Sequence, residues 1–244
     1  MPLERSNMKT ADRRQLIDDC TECRSRQPDY FCNLSPEVLR FFNGASHQSS
    51  YPDNVCLFSE GQMPRGLHIL CSGRVKLSTM SREGKILILK LANAGEVLGL
   101  SAVISETYYE VTAHTAEPCL VTFIERKTLL RLLGKHGELG FRAAQALSAQ
   151  FQAAYRDIHD LVLARSSEGK LAKLLLTWGG PLENGEGETR LPSSLTHEEM
   201  GQMIGASRET VTRVLSHLKR KELIRVEGSI VVIRNRTALE ALST

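Results

Sequence analysis

The sequence predicts an α+β protein in which a β-barrel, a long helix and a helix-turn-helix with a β-hairpin follow one another along the chain. Between residues 47 and 124, short apolar runs alternate with glycine or polar turns, as they do in small barrels and jelly rolls. Apolar residues then recur at helical spacing to about Arg165, and two shorter helical patterns flank a glycine turn after Leu195. These changes of pattern divide the chain into an arm (1–46), a barrel (47–135), a long helix (136–166) and a helix-turn-helix domain (167–244).

Composition and charge place the chain among ordinary globular proteins. Its 244 residues can supply two small domains with their own cores, and 41% hydrophobic with 24% charged residues is a typical balance. The net charge of +3 is too small to indicate a nucleic-acid partner by itself, although residues 196–236 carry eight Lys or Arg against five Asp or Glu. Residues 1–14 lack the apolar core of a signal peptide, and no apolar run reaches membrane-spanning length. We therefore expect a cytoplasmic protein without a membrane partner.

The arm carries three of the six cysteines, Cys20, Cys23 and Cys32. In a cytoplasmic protein, cysteines are expected as thiols or metal ligands rather than as disulfides. Cys20 and Cys23 have the Cys-x-x-Cys spacing of many metal sites, and Cys32 supplies a third thiol nearby in the sequence. We interpret Cys56 and Cys71 as small buried hydrophobic residues, which cysteines outside disulfides commonly are.

A short helix and then the barrel strands follow the cysteines. Pro36 suits the first position of a helix, and the apolar residues Val38, Leu39, Phe41 and Phe42 come directly after it. The turns of the barrel carry glycines, at positions 61, 73, 84 and 95. The predicted strands lie at 55–58, 66–70, 73–77, 85–91, 111–113 and 119–124.

The long helix carries a regular apolar seam. Its members follow alternating steps of three and four residues, which is the pattern of a coiled coil. A helix packed only against its own barrel would show a similar but broader stripe, and this is the alternative interpretation. The strict steps favour a partner helix. We therefore expect a parallel homodimer through Ala144, Leu147, Phe151, Ala154, Ile158 and Leu161.

The C-terminal domain begins with a surface loop predicted at 181–192 and continues into two short helices. Thr196 and Glu199 have the spacing of a capping box at the start of the first helix. Gly205 permits the left-handed backbone of a tight turn, and Ser207 can cap the second helix. That second helix has one apolar stripe that requires burial, formed by Val211, Val214, Leu215 and Leu218.

The opposite face of the second helix has the chemistry for reading DNA bases. Arginine can hydrogen-bond guanine O6 and N7 in the major groove, and a carboxylate can accept a hydrogen bond from cytosine N4. A helix-turn-helix presents such side chains from the start of its second helix. A solvated face in an ordinary helical hairpin would look similar, and periodicity alone leaves both interpretations open. The candidate DNA-binding residues are Ser207, Arg208, Glu209, Thr212, Arg213 and Ser216.

One family of bacterial transcription regulators, the Crp/Fnr family, has a helix-turn-helix that closely resembles GQMIGASRETVTRVLSHLKRKELI in this chain. The Arg-Glu-x-x-x-Arg pattern with which the Crp branch reads bases falls here on Arg208, Glu209 and Arg213. Thr212 stands where the Fnr branch has serine, so the second helix is closer to the Crp branch. A hairpin at residues 223–233, with a turn at 227–229, resembles the wing of this winged helix.

The resemblance implies a transcription regulator without catalytic activity. It implies that residues 47–135 form a cyclic-nucleotide-binding-type barrel and act as a sensor domain. It also implies a homodimer that binds double-stranded DNA at a palindromic operator and has RNA polymerase as a further partner.

The barrel sequence argues against a cyclic nucleotide as the signal. In nucleotide-binding relatives, a Gly-Glu-x-x-Gly-Glu loop is followed by an Arg-Ser or Arg-Thr pair, because the phosphate needs an arginine or backbone N–H groups. Here the loop Gly95-Glu96-Val97-Leu98-Gly99 is followed by Leu100, and residues 106–110 contain two carboxylates and no Arg or Lys. Control by a cyclic nucleotide or another small effector is the alternative interpretation.

The cysteines instead resemble those of the oxygen-sensing Fnr branch. In that branch, N-terminal cysteines and one distant cysteine in the barrel bind a [4Fe–4S] cluster. The resemblance implies such a cluster on Cys20, Cys23, Cys32 and Cys119, and therefore a redox or oxygen sensor. Zinc binding or reversible thiol oxidation at the same cysteines stays open. A thiol oxidoreductase that uses Cys20-x-x-Cys23 is disfavoured, because no strand pattern precedes Cys20.

Overall fold

The computed structural model describes residues 20–23, 26–163, 166–179, 189–191, 195–227 and 230–243, with the side chains of all of these except residues 157–163. Residues 1–19 of the predicted arm lie outside the described residues. The chain divides into two compact units, one of residues 1–75 and 92–147 and the other of residues 76–91 and 148–244. No helix in the described ranges combines the length and the apolar character that a membrane crossing requires.

The barrel has eight strands: β1 (His47–Tyr51), β2 (Cys56–Phe58), β3 (Gly66–Ser72), β4 (Val75–Met80), β5 (Ile86–Ala92), β6 (Val97–Leu98), β7 (Thr112–Thr115) and β8 (Cys119–Glu125). They form two four-stranded sheets, with the orders β1-β8-β3-β6 and β2-β7-β4-β5. Strand β8 pairs antiparallel with both β1 and β3. The predicted jelly-roll architecture is confirmed.

A β-bulge interrupts the pairing of β3 with β8. Leu70 lies opposite Val121 and Ser72 lies opposite Leu120, so Cys71 is the extra residue of β3 between these two pairs. Strand β8 itself keeps a regular register with β1 over its paired length. Side chains along β8 therefore alternate strictly between the two faces of the sheet.

Short helices of the first unit close the barrel. These are a 3₁₀ turn (Cys20–Glu22), α1 (Pro36–Ala45), α2 (Leu100–Ser105) and α3 (Arg126–Lys135). Pro36 occupies the first turn of α1, as its fixed φ favours. These helices share a core with the β1-β8-β3-β6 sheet. This core includes the buried side chains of Leu39, Phe42, Leu67, Ile69, Ile124 and Leu129.

The long helix α4 spans Gly137–Leu163. Leu139 and Ala143, near its start, are buried in the core of the first unit. Leu147 is half-buried against that core. The beginning of α4 therefore packs on the barrel, which is the arrangement that the alternative interpretation of the seam expected for the whole helix.

The second unit contains α5 (Ser167–Gly179), β9 (Thr189–Arg190), α6 (His197–Ile204), α7 (Arg208–Arg220), β10 (Ile224–Glu227), β11 (Ile230–Ile233) and α8 (Arg236–Leu242). Its three strands form a sheet with the order β10-β11-β9. Thr189 and Arg190, expected in a loop, pair with Ile233 and Val232 and form β9. The core of this unit includes Leu171, Leu175, Val211, Leu218, Ile233 and Leu239.

The hairpin of residues 76–91 belongs to the second unit, although the sequence analysis assigned it to the barrel domain alone. Lys76 Nζ lies 2.7 Å from Glu199 Oε1 of α6. Leu91 packs against the core of the helix-turn-helix. An ion pair and an apolar contact therefore tie this hairpin to the C-terminal helices.

Candidate functional site

Helix α6 begins with the predicted capping box. The Thr196 hydroxyl accepts a hydrogen bond from the backbone N–H of Glu199 at 3.1 Å, and the Glu199 carboxylate accepts one from the backbone N–H of Thr196 at 2.8 Å. Two backbone donors at the start of α6 are therefore satisfied. The capping box fixes the point at which the helix-turn-helix begins.

The turn between α6 and α7 depends on two glycines. Gly205 ends α6 in the left-handed region, with φ of 68°. Gly201 lies under the turn, because a Cβ atom there would come within 2.6 Å of the Ala206 carbonyl oxygen. Ser207 then caps α7 by accepting a hydrogen bond from the backbone N–H of Thr210 at 3.2 Å. The sequence analysis did not assign a role to Gly201, whose requirement arises only from the close approach of two backbone segments.

Helix α7 has one buried face and one exposed face. The predicted stripe of Val211, Val214, Leu215 and Leu218 is buried, with exposed fractions of at most 9%. All six candidate DNA-binding residues lie on the exposed surface: Ser207, Arg208, Glu209, Thr212, Arg213 and Ser216. The packing of the stripe thereby sets which side chains α7 presents.

Hydrogen bonds divide the exposed side chains into two groups. The Thr212 hydroxyl donates to the Arg208 carbonyl oxygen at 2.9 Å, and the Ser216 hydroxyl donates to the Thr212 carbonyl oxygen at 2.9 Å. These hydroxyls are bound to the helix backbone. The long side chains of Arg208, Glu209 and Arg213 belong to the first two turns of α7, where a reading helix meets base edges.

Two further features bear on the charge and the extent of this surface. Hydrogen bonds from its own backbone N–H and from the Ser207 side chain hold the pKa of Glu209 below its usual value. Glu209 is therefore ionised at neutral pH and can only accept hydrogen bonds. His197 Nδ1 lies 2.8 Å from Thr212 Oγ1, which places a ring from α6 beside the exposed face of α7. The sequence analysis missed His197, since its nearness follows from the angle between the two helices.

The predicted wing is present as the hairpin of β10 and β11, and the tip of its turn, residues 228–229, lies outside the described residues. Arg225 and Arg190 both form ion pairs with the Glu227 carboxylate, at 2.9 and 3.1 Å. Glu227 therefore offsets positive charge next to the tip of the wing.

The predicted dimer seam continues along α4 beyond the barrel core. Ala144, Phe151 and Ala154 are exposed, and the Phe151 side chain is 65% exposed. The ring of Phe151 contacts that of Tyr155 at a centroid distance of 4.7 Å. Ile158 and Leu161 belong to α4, but their side chains lie outside the described residues. An exposed aromatic pair on a long helix is typical of a surface that a partner covers.

All six cysteines are present as thiols. Burial most of all, and then the neighbouring thiols of Cys71, Cys23 and Cys20, raise the pKa of Cys32 to about 11. The four cysteines therefore lie near one another, and Cys71, which we had interpreted as a small buried hydrophobic residue, belongs to this cluster. Among the described residues, no three His, Cys, Asp or Glu side chains are placed to hold a single metal ion. An iron–sulfur cluster does not need its ligands to converge on one metal ion, because each of its iron atoms binds a separate thiolate.

Cys119 does not lie where the resemblance had placed a ligand, and that assignment needs correction. Cys119 is 2% exposed, and its thiol donates to the carbonyl oxygens of Arg74 and Glu117 at 3.2 and 3.1 Å. Cys119 and Thr122 are three residues apart on a regular strand, so their side chains point to opposite faces. The Cys71 thiol contacts Thr122, which places Cys71 on the face away from Cys119.

The barrel segment that matches a nucleotide-binding loop is built around apolar packing. Leu100, which replaces the expected glutamate, is fully buried. A Cβ atom on Gly99 would come within 2.5 Å of the Tyr109 ring, so that ring covers the loop. The nearby Arg126 guanidinium donates to the Val103 carbonyl oxygen at 2.9 Å and pairs with Glu106 at 3.2 Å. The Arg126 guanidinium is therefore bound to groups of the protein itself.

A separate cavity of about 520 Å³ opens beside β3 and is lined by Leu57, Phe58, Gln62, Met63, Pro64, Arg65, His68, Tyr109 and Phe123. Burial, with a smaller contribution from His47, lowers the pKa of His68 to about 4, so this ring is neutral at pH 7. The Tyr109 hydroxyl donates to the Gly66 carbonyl oxygen at 2.9 Å. The cavity is therefore lined mainly by aromatic and aliphatic side chains, with Arg65 as its cation.

Two protein-family models match this chain. Residues 169–242 match the Crp-like helix-turn-helix domain, and residues 48–136 match the cyclic nucleotide-binding domain. The chain is 24% identical over 204 residues to the CRP-like cAMP-activated global transcriptional regulator of Mycobacterium tuberculosis. The aligned residues cover 83% of this chain and 91% of that protein. It is 26% identical over 197 residues to the cAMP-activated global transcriptional regulator CRP of Pasteurella multocida, covering 80% and 94% of the two chains.

Among solved structures, FixK2 from Bradyrhizobium japonicum shares the fold, with a TM-score of 0.70 and 23% identity over 82% of this chain and 98% of that one. Both of the sequence relatives are named as transcriptional regulators. The capped helix-turn-helix with its exposed Arg-Glu-x-x-x-Arg face lies within the residues that match the Crp-like helix-turn-helix domain. The chain is a DNA-binding transcription regulator of the Crp/Fnr family.

Proposed function

We propose that two copies of this chain bind a palindromic operator through the exposed faces of their α7 helices and control transcription together with RNA polymerase. We further propose that the N-terminal cysteines hold a [4Fe–4S] cluster, so that DNA binding responds to oxygen or redox state. The observation that carries the first proposal is the exposure of Arg208, Glu209 and Arg213 on a helix whose other face is buried. These side chains can pair with guanine and cytosine edges.

Pairing of two subunits allows two α7 helices to bind a complete operator. One α7 helix covers only a half-site, whereas two related by a twofold axis cover two half-sites about 34 Å apart along the duplex. The exposed Phe151 and Ala154 on α4 support a second copy of this chain as the partner. A coiled-coil seam of this spacing would bury them against their equivalents.

The cysteine segment has a direct connection to α4. Ser35, three residues after Cys32, hydrogen-bonds the Glu138 carboxylate in the first turn of α4. The Arg142 guanidinium of α4 donates to the carbonyl oxygen of Pro28 at 3.2 Å. When bound, an iron–sulfur cluster supplies a centre that changes redox state. A change at the cysteines would move residues 28–35, and these contacts would transmit the movement to the helix that we expect to pair the subunits.

The test combines metal analysis with operator selection. Full-length protein is purified without air, its iron and acid-labile sulfide are measured, and binding sites are selected from random duplexes before and after exposure to air. We expect iron, sulfide and an inverted-repeat operator that air-exposed protein binds less tightly. Protein without iron, even after reconstitution with iron and sulfide, would overturn the sensor. Selected sequences without an inverted repeat would overturn the dimeric mode of binding.

A small effector in the barrel is the second candidate signal. It is favoured by the match of residues 48–136 to the cyclic nucleotide-binding domain and by the cavity beside β3. The contacts of Leu100 and Arg126 argue against a cyclic nucleotide at the usual loop. Calorimetry with cyclic AMP and cyclic GMP separates the two candidates, because we expect no heat of binding from either nucleotide. Micromolar binding of one of them would favour the effector over the cluster.

A further inference from the structure

We propose that Cys71, on the β-bulge of β3, is the fourth ligand of the iron–sulfur cluster, together with Cys20, Cys23 and Cys32. This inference rests on the proposed sensor and names its one ligand outside the arm. It replaces Cys119, which the resemblance had implied. Four thiolates, one for each iron, complete the ligand set of a [4Fe–4S] cluster.

The bulge directs the Cys71 thiol to the face of the sheet that carries Thr122. Cys71 Sγ lies 3.1 Å from Thr122 Oγ1 and 3.6 Å from Gln48 Nε2. Cys71 is half-buried, so a ligand can reach it from the surface. Bulges re-aim a side chain without disturbing the rest of the strand, and they are common beside functional sites.

A backbone connection through Gly95 brings the arm to this point. The Phe31 N–H donates to the Gly95 carbonyl oxygen at 3.4 Å, and the Gly95 N–H donates to the Leu70 carbonyl oxygen at 2.7 Å. Cys32 directly follows Phe31, and Cys71 directly follows Leu70. The two cysteines are therefore each one residue away from a partner of the same glycine.

Only glycine fits at the centre of this connection. Gly95 has φ of 90°, and a Cβ atom there would come within 2.1 Å of the Tyr30 ring. The arm thus crosses β6 and its turn in close contact, with Tyr30 directly over Gly95. This contact holds the arm close to β3 and so sets the distance between Cys32 and Cys71.

The other two cysteines are anchored on the same side. The Cys20 N–H donates to the Asn43 side-chain oxygen of α1 at 2.9 Å, and the Cys23 N–H donates to the Cys20 carbonyl oxygen at 3.3 Å. This 3₁₀ turn holds both thiols on one short segment. The Cys20 side chain also packs against the core that contains Phe31, next to Cys32, and Ile69 of β3.

Serine replacements test the assignment. Wild type and the variants Cys71→Ser, Cys119→Ser and Cys56→Ser are purified without air and reconstituted with iron and sulfide. We expect wild type, Cys119→Ser and Cys56→Ser to hold iron and sulfide and to absorb in the visible, and Cys71→Ser to lose both. Iron retained by Cys71→Ser and lost by Cys119→Ser would overturn the assignment. Wild type that holds no iron would overturn the sensor itself, and the role of Cys71 with it.

A second measurement covers the case in which Cys71→Ser fails to fold. Iron-free wild-type protein is treated with a short bifunctional thiol reagent, and the linked peptides are mapped by mass spectrometry. We expect Cys71 to be joined to Cys32 or Cys23. Links from these cysteines to Cys119, with Cys71 unmodified, would contradict the placement whether or not the variant folds.

Discussion

Ser35 donates two hydrogen bonds to the carboxylate of Glu138, from its backbone N–H at 2.6 Å and from its hydroxyl at 2.5 Å. The hydrogen bond from the Ser35 hydroxyl is the main reason that the pKa of Glu138 lies below its usual value, so Glu138 is ionised at neutral pH. A charged acceptor makes such hydrogen bonds short and strong. The segment that follows the cysteines is therefore tied to the first turn of α4.

Replacing Glu138 by alanine is expected to weaken the coupling between the cysteines and DNA binding. The variant keeps every cysteine and every residue of α7, so it should retain its iron and its affinity for the operator. It should reduce the difference in operator affinity between protein kept without air and protein exposed to air, because only the Arg142–Pro28 contact then joins residues 28–35 to α4. Glu37→Ala, an exposed carboxylate in the first turn of α1, is the control and should keep the difference. A full response in Glu138→Ala would exclude this route.

Phe151→Asp is expected to give monomers. The side chain is 65% exposed in the single chain and lies on the predicted seam, so a dimer would bury the new charge without a partner. Phe141→Asp is a matched control, since Phe141 is 64% exposed on the same helix and lies outside the seam. Sedimentation at several protein concentrations measures both. Dimers of Phe151→Asp with the stability of wild type would show that the seam is not the interface.

Arg213→Ala should relax the choice of base at one position of each half-site. An arginine that forks onto a guanine contributes about 1–3 kcal/mol of discrimination against the wrong base. Arg220→Ala, at the far end of α7, should weaken binding to all sequences to a similar, small extent. Affinities for a panel of operators with single substitutions distinguish the two effects. Equal weakening of every operator by Arg213→Ala would mean that Arg213 contacts only phosphate.

The stability of the second unit should depend on pH through Glu199. Burial raises the pKa of this carboxyl, but hydrogen bonds from Lys76 and Thr196 outweigh burial and leave the pKa below its usual value. A lowered pKa in the folded state means that the stabilisation is present above the unfolded pKa of about 4.3 and is lost as pH falls through the folded pKa. Glu199→Gln should therefore cost about 1–2 kcal/mol at pH 7 and progressively less below about pH 4.

Glu198→Gln provides the control for that measurement, because Glu198 is the exposed neighbour in the same turn. Thermal unfolding of both variants between pH 3 and 7 gives the comparison. A difference between Glu199→Gln and wild type that does not change over this range would show that the ionised carboxylate is not the source of the stabilisation.

The helix-turn-helix could be predicted almost completely from the sequence, because its determinants are local. The Thr196–Glu199 capping box, the left-handed Gly205 and the buried stripe that begins at Val211 all lie within a few turns of helix. Periods and caps of this kind are visible in the order of residues. The role of Gly201 was missed because it depends on a neighbour five residues away in the turn.

The cysteine cluster was only partly predictable, because its fourth member depends on strand register. Cys71 is brought to the arm by a bulge in β3 and by the contact of Tyr30 with Gly95, and neither leaves a pattern in the sequence. Cys119 was implied by its place late in the barrel, yet alternation along β8 turns it to the other face. Strand β9 was missed for a related reason, since two residues are too few to show a period.

The most direct test of the central claim is competition between operator and random DNA. Wild-type protein is bound to a labelled duplex recovered by selection, and the affinity ratio is measured by fluorescence anisotropy against unlabelled random duplex at fixed salt. We predict that the operator is bound about 10³-fold or more tightly than random sequence. An equal affinity for both duplexes, in protein kept without air and in protein exposed to it, would contradict sequence recognition by α7.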